Sequence, residues 1–564
     1  MGIPTYFRFL MEKYKGIVVE EQKRGCDYFF LDFNSILYKV FYDNDRNKLS
    51  EDFFLYNIIN EVKRLCNDEI KPKKMIYFSL DGPCPRAKMV QQRSRRYKSI
   101  QLYEYLKKKE EWNPSNNICP GTEFMYKFKY YLLREMEKKT FHCPEVILSD
   151  SSYPGEGEHK ILPLLRKLVK KEPTSNIIIM SPDNDLISLG ILTGKKNIYI
   201  LRYIDFTIAE LLRKKYYHKD CLVFIDLNLL LEQFIKEYTN NDKKDEMNII
   251  LDYNFLLSMI GNDFIPVLPY MKIKNGGLDK LLRLYHQIFE KEKKYLIDKK
   301  TLNINIPFFT ELVLILSRME QNDFQNLNNF IQKEKRSGQA PKNEENLSNQ
   351  KIYENRLNHL YMCNPYHPLY EEYEQEFTSI PFHLSKHEWK PKYYEYFTHV
   401  KKENYNRIRN QMVLEYLTSL KFTLFYYNRK CPSWSWYYPF RVPPLFSDIY
   451  TNLTKFNLDI NNDIRFQEGV PYSPFEQLMF ILPPQSKEII PKPYHELFEK
   501  YKKYYPTSFR VDALHGLKYI YSEAILPEWD SSFLTLLSEI RNKEKKLLPK
   551  EKERNTIHYS LYRM

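Results

Sequence analysis

The chain has 564 residues, enough for two or three domains with a substantial core, and its 86 lysines and arginines against 72 acids give a formal net charge of +14. That charge, with 47 Tyr and 36 Phe, suits a polyanionic partner with unpaired bases, although an AT-rich genome would also enrich Lys, Asn, Ile and Tyr. Eight cysteines without a CxxC pair or zinc-type histidine spacing speak against a disulfide scaffold or zinc module; no membrane-length apolar run, signal-peptide pattern or myristoylation motif is present, so a soluble intracellular protein is expected.

Tyr28–Leu31 reads as a strand ending in Asp32, and apolar spacing over residues 53–66 reads as a helix. Met75–Leu80 is a second strand, stopped by Asp81-Gly82-Pro83. Strand, helix, strand is a parallel unit, and chemistry in such sheets gathers at the carboxyl edge. After Pro85 a helix is expected to about Glu111, broken at Trp112–Pro114. On it Lys88, Gln92, Arg95 and Arg96 fall at i, i+4, i+7 and i+8, on one face. No acid interrupts the field between Met89 and Gln101. Such a face suits a phosphate, and a solvated basic helix is the plainer alternative.

Val146–Leu148 is a third strand, followed by Glu156 and Glu158 at the start of an amphipathic helix carrying Ile161, Leu164, Leu165 and Leu168 inward. Alone this acidic pair is ordinary capping. Asn176–Met180 is a fourth strand and empties into Asp183 and Asp185, two like charges at i, i+2. A helix over 250–260 ends at Gly261, with Asp263 in the turn. Seven acids, Asp32, Asp81, Glu156, Glu158, Asp183, Asp185 and Asp263, thus lie near ends of apolar elements. Around one sheet edge they would repel one another unless a divalent metal neutralised them. An all-carboxylate set selects a hard ion, Mg²⁺ first and Mn²⁺ as a substitute. Residues 321–351, polar and without apolar period, read as a disordered or loosely packed insertion. Order is expected again over 361–377 and in a helix over 407–425. Five rings between Trp434 and Phe440 read as a hydrophobic plug or a stacking platform, and Arg541–Arg554 as a charged helix or surface tail.

The run DGPCPRAKMVQQRSRRYKS resembles the signature of the Xrn family of 5′→3′ exoribonucleases. So do Gly2-Ile3-Pro4, Leu31–Ser35, Pro120–Met125, Pro154–Lys160, Pro182–Leu186, Gly261–Phe264, Pro432–Tyr438 and Pro474–Met479, in the family's order along most of the chain. The resemblance implies an α/β fold: a mixed, mostly parallel central sheet flanked by helices, of the PIN or flap-nuclease type, with a mainly helical second region packed against it. The division it implies is a nuclease domain over 1–285 and a helical connector over 286–400 with the insertion near 321–351. A second conserved region over 401–540 and a charged tail over 541–564 follow.

The implied activity is processive, metal-dependent 5′→3′ degradation of RNA bearing a 5′ monophosphate, such as decapped mRNA, to mononucleotides. The seven acids would hold two Mg²⁺ ions, with Asp183, Asp185 and Asp263 as first choices for direct ligands. Lys88, Gln92, Arg95 and Arg96 would hold the terminal phosphate. Tyr38, where the family has histidine, and either Trp434 or Trp436 would stack on a base. Phe440-Arg441-Val442-Pro443 departs from a usual Tyr-His-Tyr-Ala run, leaving Arg441 to a phosphate or a neighbouring acid, and Cys119 replaces a common threonine. Implied partners are single-stranded RNA and the decapping machinery, for a monomer without membrane contact, cytoplasmic with the nucleus left open. Two other classes remain at this level, a flap-type structure-specific nuclease and a catalytically silent RNA-binding scaffold.

Overall fold

The computed structural model describes the chain except residues 1, 2, 4, 23, 44–49, 107–112, 214–217, 219, 240–244, 338–343, 346, 362–383, 385–387, 401, 513–518, 520 and 521. Its organising element is an eight-stranded sheet. In chain order the strands are β1 (Val18–Val19), β2 (Tyr28–Asp32), β3 (Met75–Ser79), β4 (Glu145–Ser149), β5 (Ile177–Met180), β6 (Ile198–Tyr203) and β7 (Leu222–Asp226). A separate small hairpin pairs β8 (Arg510–Asp512) with β9 (Glu523–Ile525), and β10 (Tyr562–Arg563) returns to the main sheet. The sheet order is β1-β7-β6-β5-β2-β3-β4-β10. Neighbours from β6 to β4 are parallel, while β7, β1 and β10 run antiparallel at the edges.

Apolar runs form these strands because both faces are covered. Phe30, Tyr77, Ile147, Ile177 and Ile179 enter one buried cluster, and their neighbours Phe29, Leu31, Ile76, Phe78, Leu148 and Ile178 enter another on the opposite face. The chain proceeds from β2 outward through β3 and β4, then returns to the other side of β2 with β5 and β6. The direction of winding therefore reverses between β2 and β5, the place where open parallel sheets leave a crevice at their carboxyl ends.

The helices that matter for the crevice are α1 (Phe33–Asp43), α2 (Arg86–Tyr105), α3 (Gly157–Lys171), α4 (Asp185–Leu192), α5 (Glu246–Met259), α6 (Ile306–Ser337), α7 (Tyr405–Asn428) and α8 (Pro474–Ile481). The basic helix thus runs to Tyr105; residues 107–112 lie outside the described residues, and beyond them Asn113 caps a new helical turn that begins at Pro114. The apolar cluster on one face of the sheet continues without interruption into Leu312, Leu316, Tyr416, Leu420, Phe422 and Ile449, across the division expected near residue 285. A third cluster joins Cys84, Met89 and Cys119 to α8 and to residues as late as Leu547.

One expectation needs correction. Residues 321–337 are not a disordered insertion but the second half of α6, with Phe324, Leu327 and Ile331 buried on one helical face. Three apolar residues at i, i+3 and i+7 suffice when the rest of the face is polar, and Phe324 packs against the rings of Tyr270 and Trp389. Of the two readings of the C-terminal residues, a charged helix or a surface tail, the helix holds, and it is packed rather than merely solvated. Residues Pro549–Arg554 form a helical turn, Arg554 Nε donates to the Gly121 carbonyl at 2.9 Å, and β10 hydrogen-bonds along β4. Of the order expected over 361–377, all but Tyr361 lies outside the described residues, as do Gly2 and Pro4.

Candidate active site

All seven predicted acids converge at the carboxyl edge of the sheet. Asp32 closes β2, and its Oδ2 accepts from the Ser181 hydroxyl at 2.9 Å, which ties β2 to the segment after β5. Asp81 follows β3. Its Oδ2 accepts from Asn34 Nδ2 at 2.8 Å and its Oδ1 from the Gly157 amide at 2.7 Å. Gly157 permits this approach, since a Cβ there would stand 3.0 Å from Asp32 Oδ1 and 3.2 Å from the Ser79 carbonyl. Glu156 and Glu158 flank that glycine at the N-terminus of α3.

Asp183 lies in the turn after β5, and its Oδ1 accepts from the Asp185 amide at 3.3 Å, while Asp185 begins α4. Asp263 is set by a turn at Gly261, whose φ of +91° is the left-handed conformation that favours glycine. There the Asn262 side chain accepts from the amides of Phe264 and Ile265 at 2.9 and 3.0 Å.

Among the described residues, one lysine reaches into this cluster. Lys88 Nζ donates to Asp263 Oδ2 at 2.5 Å and pairs with Glu156 Oε2, and Gln91 Nε2 holds the other oxygen of Asp263 at 2.6 Å. Burial would discharge Lys88, but Asp263 and Glu156 hold its ammonium charged well above the usual range. One lysine does not balance seven carboxylates. Burial, then Asp81, pushes the Asp32 carboxyl up to about 8. Burial and Asp183 raise both Glu158 and Asp185 well above the carboxylate range, and burial also raises Glu156. Against their burial, Asp183 and Asp263 are held below their ordinary value by positive charge, Lys88 prominent in both cases. Asp185 Oδ1 is buried with no hydrogen-bond partner among the described residues. A crowded all-oxygen donor set, short of positive charge and with an orphaned carboxylate oxygen, fits a hard divalent cation.

His159 adds to the set read from the sequence. A ring nitrogen of His159 and carboxylate oxygens of Glu156 and Glu158 lie within 4.8 Å of one another. Burial keeps the imidazole neutral, with Nε2 3.9 Å from Glu158 Oε1 and without a hydrogen bond among the described residues, and an imidazole beside carboxylates is compatible with Mn²⁺ as well as Mg²⁺.

The four residues expected at a terminal phosphate divide. Lys88 is turned to the carboxylates. Gln92 Oε1 accepts from Gln477 of α8 at 3.3 Å. Arg96 reaches the Cys119 thiol at 3.2 Å, leaving its buried Nε without a partner, and Arg95 bonds Gln91 at 3.4 Å. Arg95, Arg96, Cys119 and Asp81 all lie close enough to act on the Tyr38 hydroxyl, which burial pushes up to about 12. Tyr38 and the two arginines therefore share an electrostatic environment that Asp81 also reaches.

The two tryptophans also separate. Trp436 Nε1 donates to Glu415 at 3.0 Å, and its half-buried ring packs on Phe422 at 4.8 Å, against the core. The Trp434 backbone is pinned between Arg86 and Glu468, while its half-buried ring makes no ring contact among the described residues. Arg441 pairs with Asp512, the neighbouring acid of the two alternatives. Sequence reasoning missed Asn34, Gln91, His159 and the tandem Tyr426-Tyr427. The first three stand within or beside quoted motifs; the tyrosines are distinguished only by continuing the helical face of Phe422.

A family model described as the XRN 5′-3′ exonuclease N-terminus matches residues 1–204, and one described as the Xrn1 helical domain matches residues 243–367 and 369–562. The 5′-3′ exoribonuclease 1 of Schizosaccharomyces pombe is 26% identical over 674 aligned residues, covering 99% of this chain and 50% of that protein. The 5′-3′ exoribonuclease 1 of Homo sapiens is 28% identical over 582, covering 93% and 33%, and the 5′-3′ exoribonuclease 2 of Gallus gallus 27% identical over 694, covering 99% and 71%. The chain thus spans a third to a half of the length of the two exoribonuclease 1 proteins. With both family models matched in order over most of its length, the chain belongs to the XRN 5′-3′ exonuclease family.

Proposed function

We propose that this protein is a divalent-metal-dependent 5′→3′ exoribonuclease that removes mononucleotides processively from single-stranded RNA carrying a 5′ monophosphate. What supports this reading is the convergence of the seven carboxylates at the sheet edge, with Arg95, Arg96 and Asp81 all acting electrostatically on Tyr38, so that a terminal phosphate and the first scissile bond would lie in different parts of one crevice. Asp32, Asp81, Glu156, Glu158, Asp183, Asp185 and Asp263 would hold two Mg²⁺ ions, with Mn²⁺ as a substitute. When bound, such ions polarise the phosphodiester, lower the pKa of the attacking water and stabilise the leaving 3′ oxygen.

The chain's own groups do the positioning. The Arg95 and Arg96 guanidiniums are set to grip a terminal monophosphate, and a wall built for one phosphate disfavours a cap or triphosphate by size and a 5′ hydroxyl by lost charge-assisted bonds. Gln92 completes that wall, and Lys88 connects it to the acids. Tyr38 and Trp434 stack on the terminal base, at about 1–3 kcal/mol per base, with Trp434 preferred over Trp436 because the latter ring is packed against the core. Each cut creates a new 5′ phosphate that fits the same wall, which makes degradation processive. Decapped mRNA carries such a 5′ monophosphate, so the proposed setting is the cytoplasm, with the protein acting as a monomer alongside decapping proteins.

The test is digestion in Mg²⁺ of one 3′-labelled RNA bearing a 5′ monophosphate, hydroxyl, triphosphate or cap. Rapid loss of the monophosphate form alone, without ladder intermediates, is expected. Cutting indifferent to the 5′ end, or internal fragments, would instead favour a flap-type or endonucleolytic activity, and no cutting a silent RNA-binding scaffold.

A further inference from the structure

The acids at the sheet edge come from the first 263 residues, yet one of them is held by a side chain from more than 150 residues later. Helix α7 ends in Phe425-Tyr426-Tyr427-Asn428, and its last turn reaches the crevice. The Tyr426 hydroxyl donates to Glu156 Oε1 at 2.9 Å, while the other oxygen of Glu156 faces Lys88. Tyr427 approaches Asp185 Oδ2 at 3.5 Å, a much weaker contact. Both phenols are buried, and the Tyr426 ring is fixed on three sides: Phe264, the residue after Asp263, lies edge-on at 5.0 Å, Phe422 stacks at 5.5 Å, and the His159 ring lies against it at 3.8 Å.

We propose that Tyr426 is a positioning residue for the metal site: its hydroxyl fixes the orientation of Glu156 so that this carboxylate presents its other oxygen, the one paired with Lys88, to the cluster. The inference rests on the metal-site reading and deepens it. A carboxylate at a helix N-terminus has rotamer freedom, and crowding by six other acids gives it reason to turn away. A hydroxyl donor on a ring that cannot move removes that freedom. Groups that orient a metal ligand from behind are worth about 10–100-fold in affinity or activity. The rigidity of the device comes from the rings around Tyr426, which belong both to the residues after Asp263 and to α7. The second conserved region thereby acts on the metal site directly as well as bracing the sheet.

The experiment is calorimetric titration of the full chain with Mn²⁺ in the absence of RNA, comparing wild type, Tyr426→Phe, Tyr427→Phe, Glu156→Gln and the double variant Glu156→Gln/Tyr426→Phe. Phenylalanine keeps the ring and its stacking, and melting curves in chelator verify the fold. Tyr426→Phe is expected to weaken Mn²⁺ at least about tenfold and Tyr427→Phe by less. In the Glu156→Gln background the Tyr426→Phe change is expected to add nothing, because the tyrosine acts through that carboxylate. Unchanged affinity in Tyr426→Phe, or the same loss with and without Glu156, would overturn the proposal. Because the readout is metal binding, wild-type protein that binds Mn²⁺ but degrades no RNA would sink the exonuclease reading and still decide this one.

Discussion

At the scale of single residues, Lys88 and the acids around it decide what the site can be. Asp183 is held below its ordinary value against its burial, and the sequence placed it just past a buried strand. Asp183→Asn keeps the size and removes the charge, so RNA cleavage is expected to fall by at least about a thousandfold, the several kcal/mol that metal chemistry supplies, while RNA binding in a filter assay persists. Undiminished turnover would remove Asp183 from the site. Lys88 is the more informative substitution. Lys88→Met leaves Glu156 and Asp263 buried without their cation, at a cost of about 3–5 kcal/mol in metal-free protein. Added Mg²⁺ is then expected to raise the melting temperature of the variant more than that of wild type; equal shifts would show that the ammonium and the metal do not share these carboxylates. The seven acids were legible because each stands near an end of an apolar element, a position that survives the step from one dimension to three. The partner of Lys88 was not. A helical wheel shows that Lys88, Gln92, Arg95 and Arg96 point together, but not that the first turn of α2 passes over the acids while the third passes over Tyr38.

At the scale of elements, the parallel strands and the main helices follow from periodicity, and the misses share a physical cause. Phe324, Leu327 and Ile331 carry α6 through a stretch whose composition looks disordered, because burial of three side chains outweighs a polar average. β10 is two residues long and has no intrinsic signal; it exists because β4 offers an open edge. The Met564 amide donates to the Val146 carbonyl at 3.0 Å, and the Val146 amide to the Met564 carbonyl at 3.1 Å. His558 Nε2 lies 3.2 Å from the fully buried Asp150 carboxylate, which also meets Lys129 at 3.2 Å. Lys160 Nζ bridges the carbonyls of Asp150 and Leu80 at 2.7 and 2.6 Å, one residue before Asp81. His558→Ala is therefore expected to cost about 1–3 kcal/mol in chemical denaturation, and removal of residues 557–564 more. A denaturation midpoint unmoved by either change would show that the C-terminal segment rests on the sheet without supporting it.

At the scale of the whole molecule, the apolar cluster on one face of the sheet and the crevice both draw on the two matched regions. Buried acids are spread through this core. Burial pushes Asp32 up to about 8, and Asp252 and Glu320, far from one another in sequence, each up to about 7. Raised values mean that the folded chain keeps protons the unfolded chain releases above its ordinary carboxylate range near 4, so this stabilisation is complete below about pH 4 and is lost as pH rises toward 7–8. His159, kept neutral by burial, opposes with one proton below its ordinary value near 6.5. The melting temperature in chelator is accordingly expected to fall between pH 5 and 7, and saturating Mg²⁺ to flatten that fall by displacing the cluster's protons. A chelator profile that rises with pH would contradict this charge assignment. The claim on which the rest depends is that one crevice holds both the metal and the terminal phosphate. It is tested most directly by a crystal of the Asp81→Asn variant with a 5′-phosphorylated RNA and Mn²⁺, measured at the manganese absorption edge. The account predicts anomalous peaks among Asp32, Glu156, Glu158, Asp183, Asp185 and Asp263, with the terminal phosphate on Arg95 and Arg96 and its base against Tyr38 and Trp434. Manganese outside the carboxylates, or a terminal phosphate bound away from the two arginines, would contradict it.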